Sequence, residues 1–89
     1  MTHELKILPE FYNDVLSGKK NFEIRKADRD FQEGDKIILK ECDGAYTGRE
    51  IERWIGYIHR GNGEYGLSEG YCVLGLKRSA PMKAIDGDF

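Results

Sequence analysis

The chain has 89 residues, of which 39% are hydrophobic and 11% aromatic, and its formal net charge is −2 at pH 7. This length allows one domain with one modest core, and the composition is typical of a globular domain rather than a disordered chain. A net negative charge argues against a general nucleic-acid binder with a positive field over its whole surface. Any contact with phosphates must therefore depend on a local basic patch.

The cysteine and histidine positions show no recognisable metal-ligand or redox spacing. Cys42 and Cys72 are too far apart for a CxxC pair, and His3 and His59 show no ligand spacing with them. Buried or idle thiols are the favoured interpretation, and a metal site assembled from distant parts of the chain stays open. We expect no metal and no cofactor. Unpaired thiols, a charged start and no apolar stretch of membrane-spanning length predict a cytoplasmic protein without a membrane partner.

The start of the chain predicts a strand followed by a helix. Alternation of apolar and polar residues indicates a strand over residues 3–8, and Pro9 suits the first turn of a helix. Over residues 10–17 the apolar side chains fall on one helical face. Gly18 stands where a helix C-terminus commonly has a residue with positive φ, so we expect the helix to end there.

A second strand is predicted over residues 21–25. Phe22 and Ile24 lie on one of its faces, and Glu23 and Arg25 lie on the other. Because apolar side chains usually face the interior, we expect Phe22 and Ile24 to fill the core. The two charged residues are then expected on the side of the helix, where a cleft can form.

Three further strands are predicted, over residues 36–41, 49–58 and 71–76. The last one is apolar on both faces, which is typical of a central strand. Gly56 is a candidate for a β-bulge. One face of the long fourth strand is expected to carry Ile51, Arg53, Ile55 and Tyr57.

The order of these elements is β-α-β-β-β-β. It predicts an α+β fold in which about five strands form a small barrel and one main helix, after the first strand, lies at its side. We place this domain at residues 1–78. Residues 79–89 show no strand or helix period and are predicted to form a loose C-terminal tail.

Charged residues converge on the start of the second strand. Glu23 and Arg25 leave the same face about 7 Å apart at the backbone, and Lys20 stands at the strand entrance. A guanidinium offers paired donors and a carboxylate paired acceptors, so this group can contact both a phosphate and the amino edge of a base. A solvated strand face with a weak ion pair is the simpler alternative, and periodicity alone favours it.

Gly18, Lys20, Glu23 and Arg25 match all four fixed positions of the motif G-x-K-x-x-E-x-R. With this motif the chain resembles the ASCH family of the PUA-like superfamily. The similarity extends over residues 3–76 to a small uncharacterised ASCH-related group found in phages and bacteria, through the segments HELKILP, FEIRK, DRDFQEGD and GYCVLGL. The resemblance implies a PUA-like β-barrel in which Lys20, Glu23 and Arg25 line a cleft for RNA or a nucleotide-like ligand.

The same resemblance leaves two alternatives to a binding module. One ASCH branch hydrolyses N4-acetylcytidine with a threonine nucleophile at the position of Glu23 and a lysine partner at that of Lys20. Because the hydroxyl is absent here, we assign no catalytic residue. If the protein is a hydrolase of a modified nucleobase, Lys20 and Glu23 are the candidates for proton transfer. The other alternative is a phage or bacterial factor that binds a protein.

Residues around the motif supply further candidates for ligand contacts. Lys19, Lys26 and Arg29 extend the densest basic stretch of the chain, which suits either a phosphate-facing patch or a mixed solvated surface. Tyr46 and Tyr65 lie in predicted glycine-containing loops and are candidates for stacking on bases. The oligomeric state stays open between a monomer and a weak dimer. The aromatic residues expected in the core are Phe11, Phe22, Phe31 and Trp54.

Overall fold

The structure is a computed structural model that describes residues 1–80. Its elements are β1 (Thr2–Ile7), α1 (Pro9–Leu16), β2 (Phe22–Lys26), β3 (Lys36–Cys42), β4 (Tyr46–Arg60) and β5 (Tyr71–Lys77). The predicted order of one helix and five strands is confirmed, although β4 is longer than expected. No helix in this part of the chain is long and apolar enough to cross a membrane. From residue 81 onward, the predicted tail lies outside the described residues.

The five strands form one sheet in the order β1-β3-β4-β5-β2. β1 runs parallel to β3, and the other neighbouring strands are antiparallel. β5 lies between β4 and β2, which confirms its predicted central position. The sheet curls into a half-barrel, so the molecule has a small α+β fold. β1 and β2 are the two edge strands, and the curl lets side chains of β2 reach the backbone of β1.

The core lies on the concave side of the sheet, where α1 closes it. Proline at the first turn starts α1, and Tyr12 and Val15 are its buried residues. Each fully buried aliphatic or aromatic side chain contributes about 1.5–3 kcal/mol to stability, so this cluster dominates folding. Its members are Leu5, Ile7, Tyr12, Val15, Phe31, Ile37, Leu39, Ile51, Ile55, Cys72 and Leu74.

The predicted bulge at Gly56 is confirmed, because the pairing of β4 with β5 shifts register between Ile55 and Tyr57. The extra residue changes which side chains face inward. Ile55 is fully buried, whereas Tyr57 is 64% exposed on the convex side. The expectation that Tyr57 shares a face with Ile55 was therefore wrong, since simple alternation does not continue through a bulge.

The predicted orientation of β2 was also wrong. Glu23 is only 4% exposed, whereas Phe22 and Ile24 are 40% and 56% exposed on the convex side. The pairing with β5 explains this, because Glu23 lies opposite the buried Leu74. Side chains of directly paired residues point to the same side of a sheet, so the register with β5 decides the inward face.

Two more aromatic residues differ from expectation. Phe11 is 41% exposed, and Trp54 is only half-buried. Phe31 is buried as predicted. Neighbouring positions on a helix point about 100° apart, so with Tyr12 in the core Phe11 turns toward the edge of the helix. This position becomes important for the site described below.

A buried acidic group joins β1 to the segment before β3. The Asp35 carboxylate lies 2.7 Å from Nε2 of His3 and accepts a hydrogen bond of 3.0 Å from the backbone N–H of Gln32. Burial alone raises the pKa of Asp35, but the hydrogen bonds from His3 and Gln32 outweigh it, and the pKa lies below its ordinary value. This network fixes the start of β1.

We expect Gly18→Val to lower the free energy of unfolding by about 1 kcal/mol or more. Gly18 has φ +84°, as predicted, and its N–H donates to the carbonyl of Val15 at 3.1 Å. A Cβ at this position would also collide with the guanidinium of Arg78. Urea unfolding followed by circular dichroism measures the loss.

The matched control is Gly75→Ala. A Cβ at Gly75 would meet its nearest atom, Cβ of Tyr57, at an ordinary distance of 3.5 Å, and φ there is not positive. This variant should lose less stability than the variant at Gly18. Equal midpoints for the Gly18 variant and the wild type would contradict the assignment of Gly18 as the residue that ends the helix.

Candidate functional site

The carboxylate of Glu23 is the centre of the site. It is buried on the concave side, close to the gap between the two edge strands. Its Oε1 contacts Nζ of Lys20, and its Oε2 accepts hydrogen bonds from Nε of Arg25 at 3.0 Å and lies 2.9 Å from Nη2. A buried carboxylate is costly unless it is paired and hydrogen-bonded. The two cations of the motif meet that requirement.

Two arginines connect the free edge of β1 to β2 and the segment after it. Nη2 of Arg25 donates to the carbonyl oxygen of Lys6 at 2.5 Å, and Nη1 of Arg29 donates to that of Glu4 at 2.9 Å. Within residues 1–80, β1 pairs only with β3, so these carbonyls lie on the edge of β1 that has no partner strand there. An unpaired edge needs such partners or water. The arginine side chains thus take the place of a missing backbone ladder.

Lys20 reaches Glu23 from the turn that follows the helix. The N–H of Lys20 donates to the carbonyl of Asp14 at 2.9 Å, which folds this turn back onto α1. The ammonium donates to the carbonyl of Phe22 at 2.8 Å as well as contacting Glu23. It lies 5.3 Å and 5.0 Å from the ring centres of Phe11 and Phe22, within the range of cation–π attraction. All three motif side chains therefore meet at one point.

A cleft of about 260 Å³ opens beside this group of charges. Glu23 and Arg25 line this cleft, together with the partly exposed Phe11. Pockets for small molecules begin at about 300 Å³, so this cleft suits a ligand the size of one ring system. The lining residues are Lys6, Ile7, Leu8, Phe11, Glu23, Ile24 and Arg25.

The other basic candidates are divided between two places. Lys26 and Arg29 line a neighbouring hollow of about 330 Å³, which also contains Arg25 and Asp28. Its mixed charges resemble a solvated surface as much as a phosphate site. Lys19 is exposed just beyond the end of α1. The structure therefore brings Lys26 and Arg29 next to the motif but leaves Lys19 outside both cavities.

Tyr46 and Tyr65 are not brought to the motif. Tyr46 is the first residue of β4 rather than a loop residue, because β4 begins earlier than predicted. Its hydroxyl donates to Glu50 at 2.6 Å, and this hydrogen bond raises the pKa of Tyr46 to about 12. Tyr65 is 89% exposed with a φ of +55°, and its ring lies 6.3 Å from that of His59.

Comparison with known proteins places the chain in a family. The family model described as "Domain of unknown function (DUF3850)" matches residues 2–76, which include the motif and the whole cleft. The chain belongs to the DUF3850 family. It is also 45% identical over 54 residues to a protein of Escherichia phage P2 described as "Uncharacterized 12.9 kDa protein in GpA 3'region". That match covers 60% of this chain and 50% of the phage protein, so the chain spans about half the length of the curated relative it matches.

Five lining residues of the DUF3850 cleft were not among the sequence-predicted site residues. They are Lys6, Ile7, Leu8, Phe11 and Ile24. Leu8 is 54% exposed and directly precedes α1. The consecutive aromatic pair Phe11–Tyr12 carried a usable signal, since adjacent helical residues point about 100° apart and cannot both stand at the centre of the buried face. Lys6 carried no such signal, because its position depends on the curl of the sheet.

We expect Arg25→Lys to lower the free energy of unfolding by about 1–2 kcal/mol, although the charge is retained. The guanidinium donates to Glu23 and to the carbonyl of Lys6 at the same time. A single ammonium lacks the planar fork needed for both contacts, so one buried acceptor loses its partner. Urea unfolding followed by the fluorescence of Trp54, the only tryptophan, measures the change.

The control is Arg29→Lys. Among the described residues, Arg29 donates to one carbonyl, that of Glu4, and one ammonium can replace that donor. We therefore expect a loss within about 0.5 kcal/mol for this exposed position. If both lysine variants unfold at the wild-type urea concentration, the edge contact of Arg25 does not hold the half-barrel together.

Proposed function

We propose that this DUF3850 domain is an ASCH-type, PUA-like module that binds RNA or a nucleotide in the cleft beside Glu23. The observation that carries the proposal is the buried carboxylate of Glu23, which is paired with Lys20 and Arg25 and faces an open cleft. Structural ion pairs alone do not need such a cleft. Charged groups that converge beside a concave surface are typical of binding sites.

The fold and the motif support the proposal that this domain is an ASCH-type, PUA-like module. A helix follows the first strand, and five strands curl into a half-barrel, as a small PUA-like barrel requires. Gly18, Lys20, Glu23 and Arg25 hold the four positions of the ASCH motif. Each has a distinct role here, because Gly18 ends the helix and the other three form the charged group.

The chemistry of the cleft suits a planar base. The ring of Phe11 is 41% exposed and offers a face for stacking. A carboxylate has about four acceptor sites, and the contacts with Lys20 and Arg25 leave acceptor capacity on Glu23. That capacity fits the amino or imino N–H groups of a base. Lys20 adds a positive charge that favours an adjacent phosphate.

The residues that line the cleft favour a binding module over an enzyme that transfers an acyl group to one of its own side chains. Among the described residues that line the cleft, none carries a hydroxyl or a thiol. A covalent route through a hydroxyl, like that of the acetylcytidine branch, therefore has no hydroxyl nucleophile among these lining residues. Hydrolysis by Glu23 acting as a general base on water is the remaining catalytic route.

One observation favours a protein-binding role as the second candidate. Phe22, Ile24 and Tyr57 are exposed on the convex side of the sheet. Phe22 and Tyr57 are both paired with Gly75. Their side chains therefore stand on either side of Gly75, which has no side chain. Exposed apolar surface of this kind is common at protein interfaces. Ile24 also lines the cleft, but Phe22 and Tyr57 lie outside it, so variants of Glu23 separate the two candidates.

We expect Glu23→Gln and Lys20→Ala to affect binding in different ways. Glu23→Gln should change the preference among bases by about 1–3 kcal/mol, because a carboxylate accepting from a base contributes to discrimination. Its salt dependence should stay as in the wild type. Lys20→Ala should weaken all phosphate-bearing ligands and reduce the salt slope by about 0.7 for one lost contact with a single strand.

The measurement is a titration with nucleosides, nucleotides and single-stranded RNAs at several salt concentrations, with product analysis for hydrolysis. Lys19→Ala is the matched control, since Lys19 is exposed and lies outside the cleft. Circular dichroism checks that each variant folds. If the folded variants at Glu23 and Lys20 bind like the wild type, the motif has no role in recognition. Formation of a hydrolysed product would favour the hydrolase.

A further inference from the structure

A second cavity lies on the other side of Lys20 and is lined by cations. Its volume is about 220 Å³, and it lies where the end of α1 meets the end of β5. Three of its residues are basic, and none of its described lining residues is acidic. They are Val15, Gly18, Lys20, Asn21, Arg53, Leu76 and Arg78. The cleft beside Glu23 differs, because its lining combines one carboxylate with the cations of Lys6 and Arg25.

Arg53 and Arg78 have no carboxylate partner within residues 1–80. The half-buried Arg53 donates to the carbonyls of Glu52 at 2.8 Å and Val15 at 3.2 Å. A guanidinium has five N–H donors, so these two contacts leave donor capacity toward the cavity. The guanidinium of Arg78 lies against Gly18, where a side chain would displace it.

The two arginines are close enough to affect each other. Burial, and then the positive charge of Arg78, lower the pKa of Arg53. A lowered pKa means that the surroundings of Arg53 destabilise its charged form. Like charges held together at a partly buried position are stabilised by an anion between them.

The negative end of a helix offers a simpler explanation for one of these residues. Arg53 donates to a carbonyl in the last turn of α1, where a cation is favourable. A role of Arg53 at the helix end does not require Arg78 and Lys20 to line the same open cavity. Among the described residues, the structure gives Arg78 no hydrogen-bond acceptor that would explain its position.

We propose that Lys20, Arg53 and Arg78 bind a phosphate group, so that the ligand of this domain is a phosphorylated nucleotide or a nucleic-acid strand rather than a free nucleoside. Three basic residues and Asn21 line a space that suits one oxyanion. Lys20 contacts Glu23 and also lines this cavity, so one ligand can place its base on one side of Lys20 and its phosphate on the other.

The phosphate site stands on its own contacts, and only the identity of the rest of the ligand depends on the proposed function. The test uses the full 89-residue chain, labelled with ¹⁵N, and follows amide shifts during titration at constant ionic strength. The probes are inorganic phosphate, uridine, uridine 5′-monophosphate and the dinucleotide UpU. The monophosphate and the dinucleotide distinguish a terminal phosphate from an internal phosphodiester.

We expect Arg78→Gln to raise the dissociation constant for inorganic phosphate and for at least one phosphate-bearing nucleotide about tenfold, because a hydrogen bond to a charged group is lost. Its affinity for uridine should not change. Arg53→Gln should act in the same direction, and unfolding midpoints show whether it also loosens the helix end. Lys19→Gln is the control at a nearby exposed lysine outside the cavity, and its dissociation constants should stay within twofold of the wild type.

Equal affinity of the wild type and Arg78→Gln for every phosphate-bearing probe would overturn the site. So would an Arg53→Gln variant that is less stable but binds phosphate like the wild type, since that result fits a helix-end role alone. Glu23→Gln separates this proposal from the previous one. The Glu23→Gln variant can retain the binding of phosphate that depends on Arg78 while the protein prefers no base. In that case the phosphate site stands and base recognition at Glu23 fails.

Discussion

The contact of the Glu23 carboxylate with Arg25, and of Arg25 with the backbone of β1, holds together the two edges of the curled sheet. β1 and β2 do not pair, and the sheet has no sixth strand between them in the described chain. Arg25 spans this gap by donating to Glu23 and to the carbonyl of Lys6. Because an unpaired edge is a liability, this contact limits how far the half-barrel can open.

This arrangement makes the candidate site part of the structural framework. Glu23 is buried with both of its oxygens in contact with cations, so the proposed ligand would meet a carboxylate whose orientation is already fixed. Preorganised groups of this kind lose little entropy on binding. The same coupling means that substitutions at Glu23, Lys20 or Arg25 are expected to change stability as well as the proposed recognition, which is why matched control variants are needed.

Hydrophobic periodicity predicted the order of the elements, the helix end at Gly18 and the bulge at Gly56. It could not predict which face of β2 points inward. Either face of an alternating edge strand can point inward. From the sequence we expected the apolar face, which carries Phe22, to fill the core. Only the register with β5 decides between them, and that register depends on contacts distant in sequence. The motif identified the charged group, whereas the curl of the sheet brought Lys6 to it.

The central claim is that Glu23 serves both the fold and recognition. Its most direct test is a crystal structure of the protein with the nucleotide that binds most tightly. The account predicts a base within the cleft, stacked near Phe11, with a donor of the base about 2.7–3.2 Å from a carboxylate oxygen of Glu23. A nucleotide bound only to the convex face, with the cleft beside Glu23 unchanged, would contradict it.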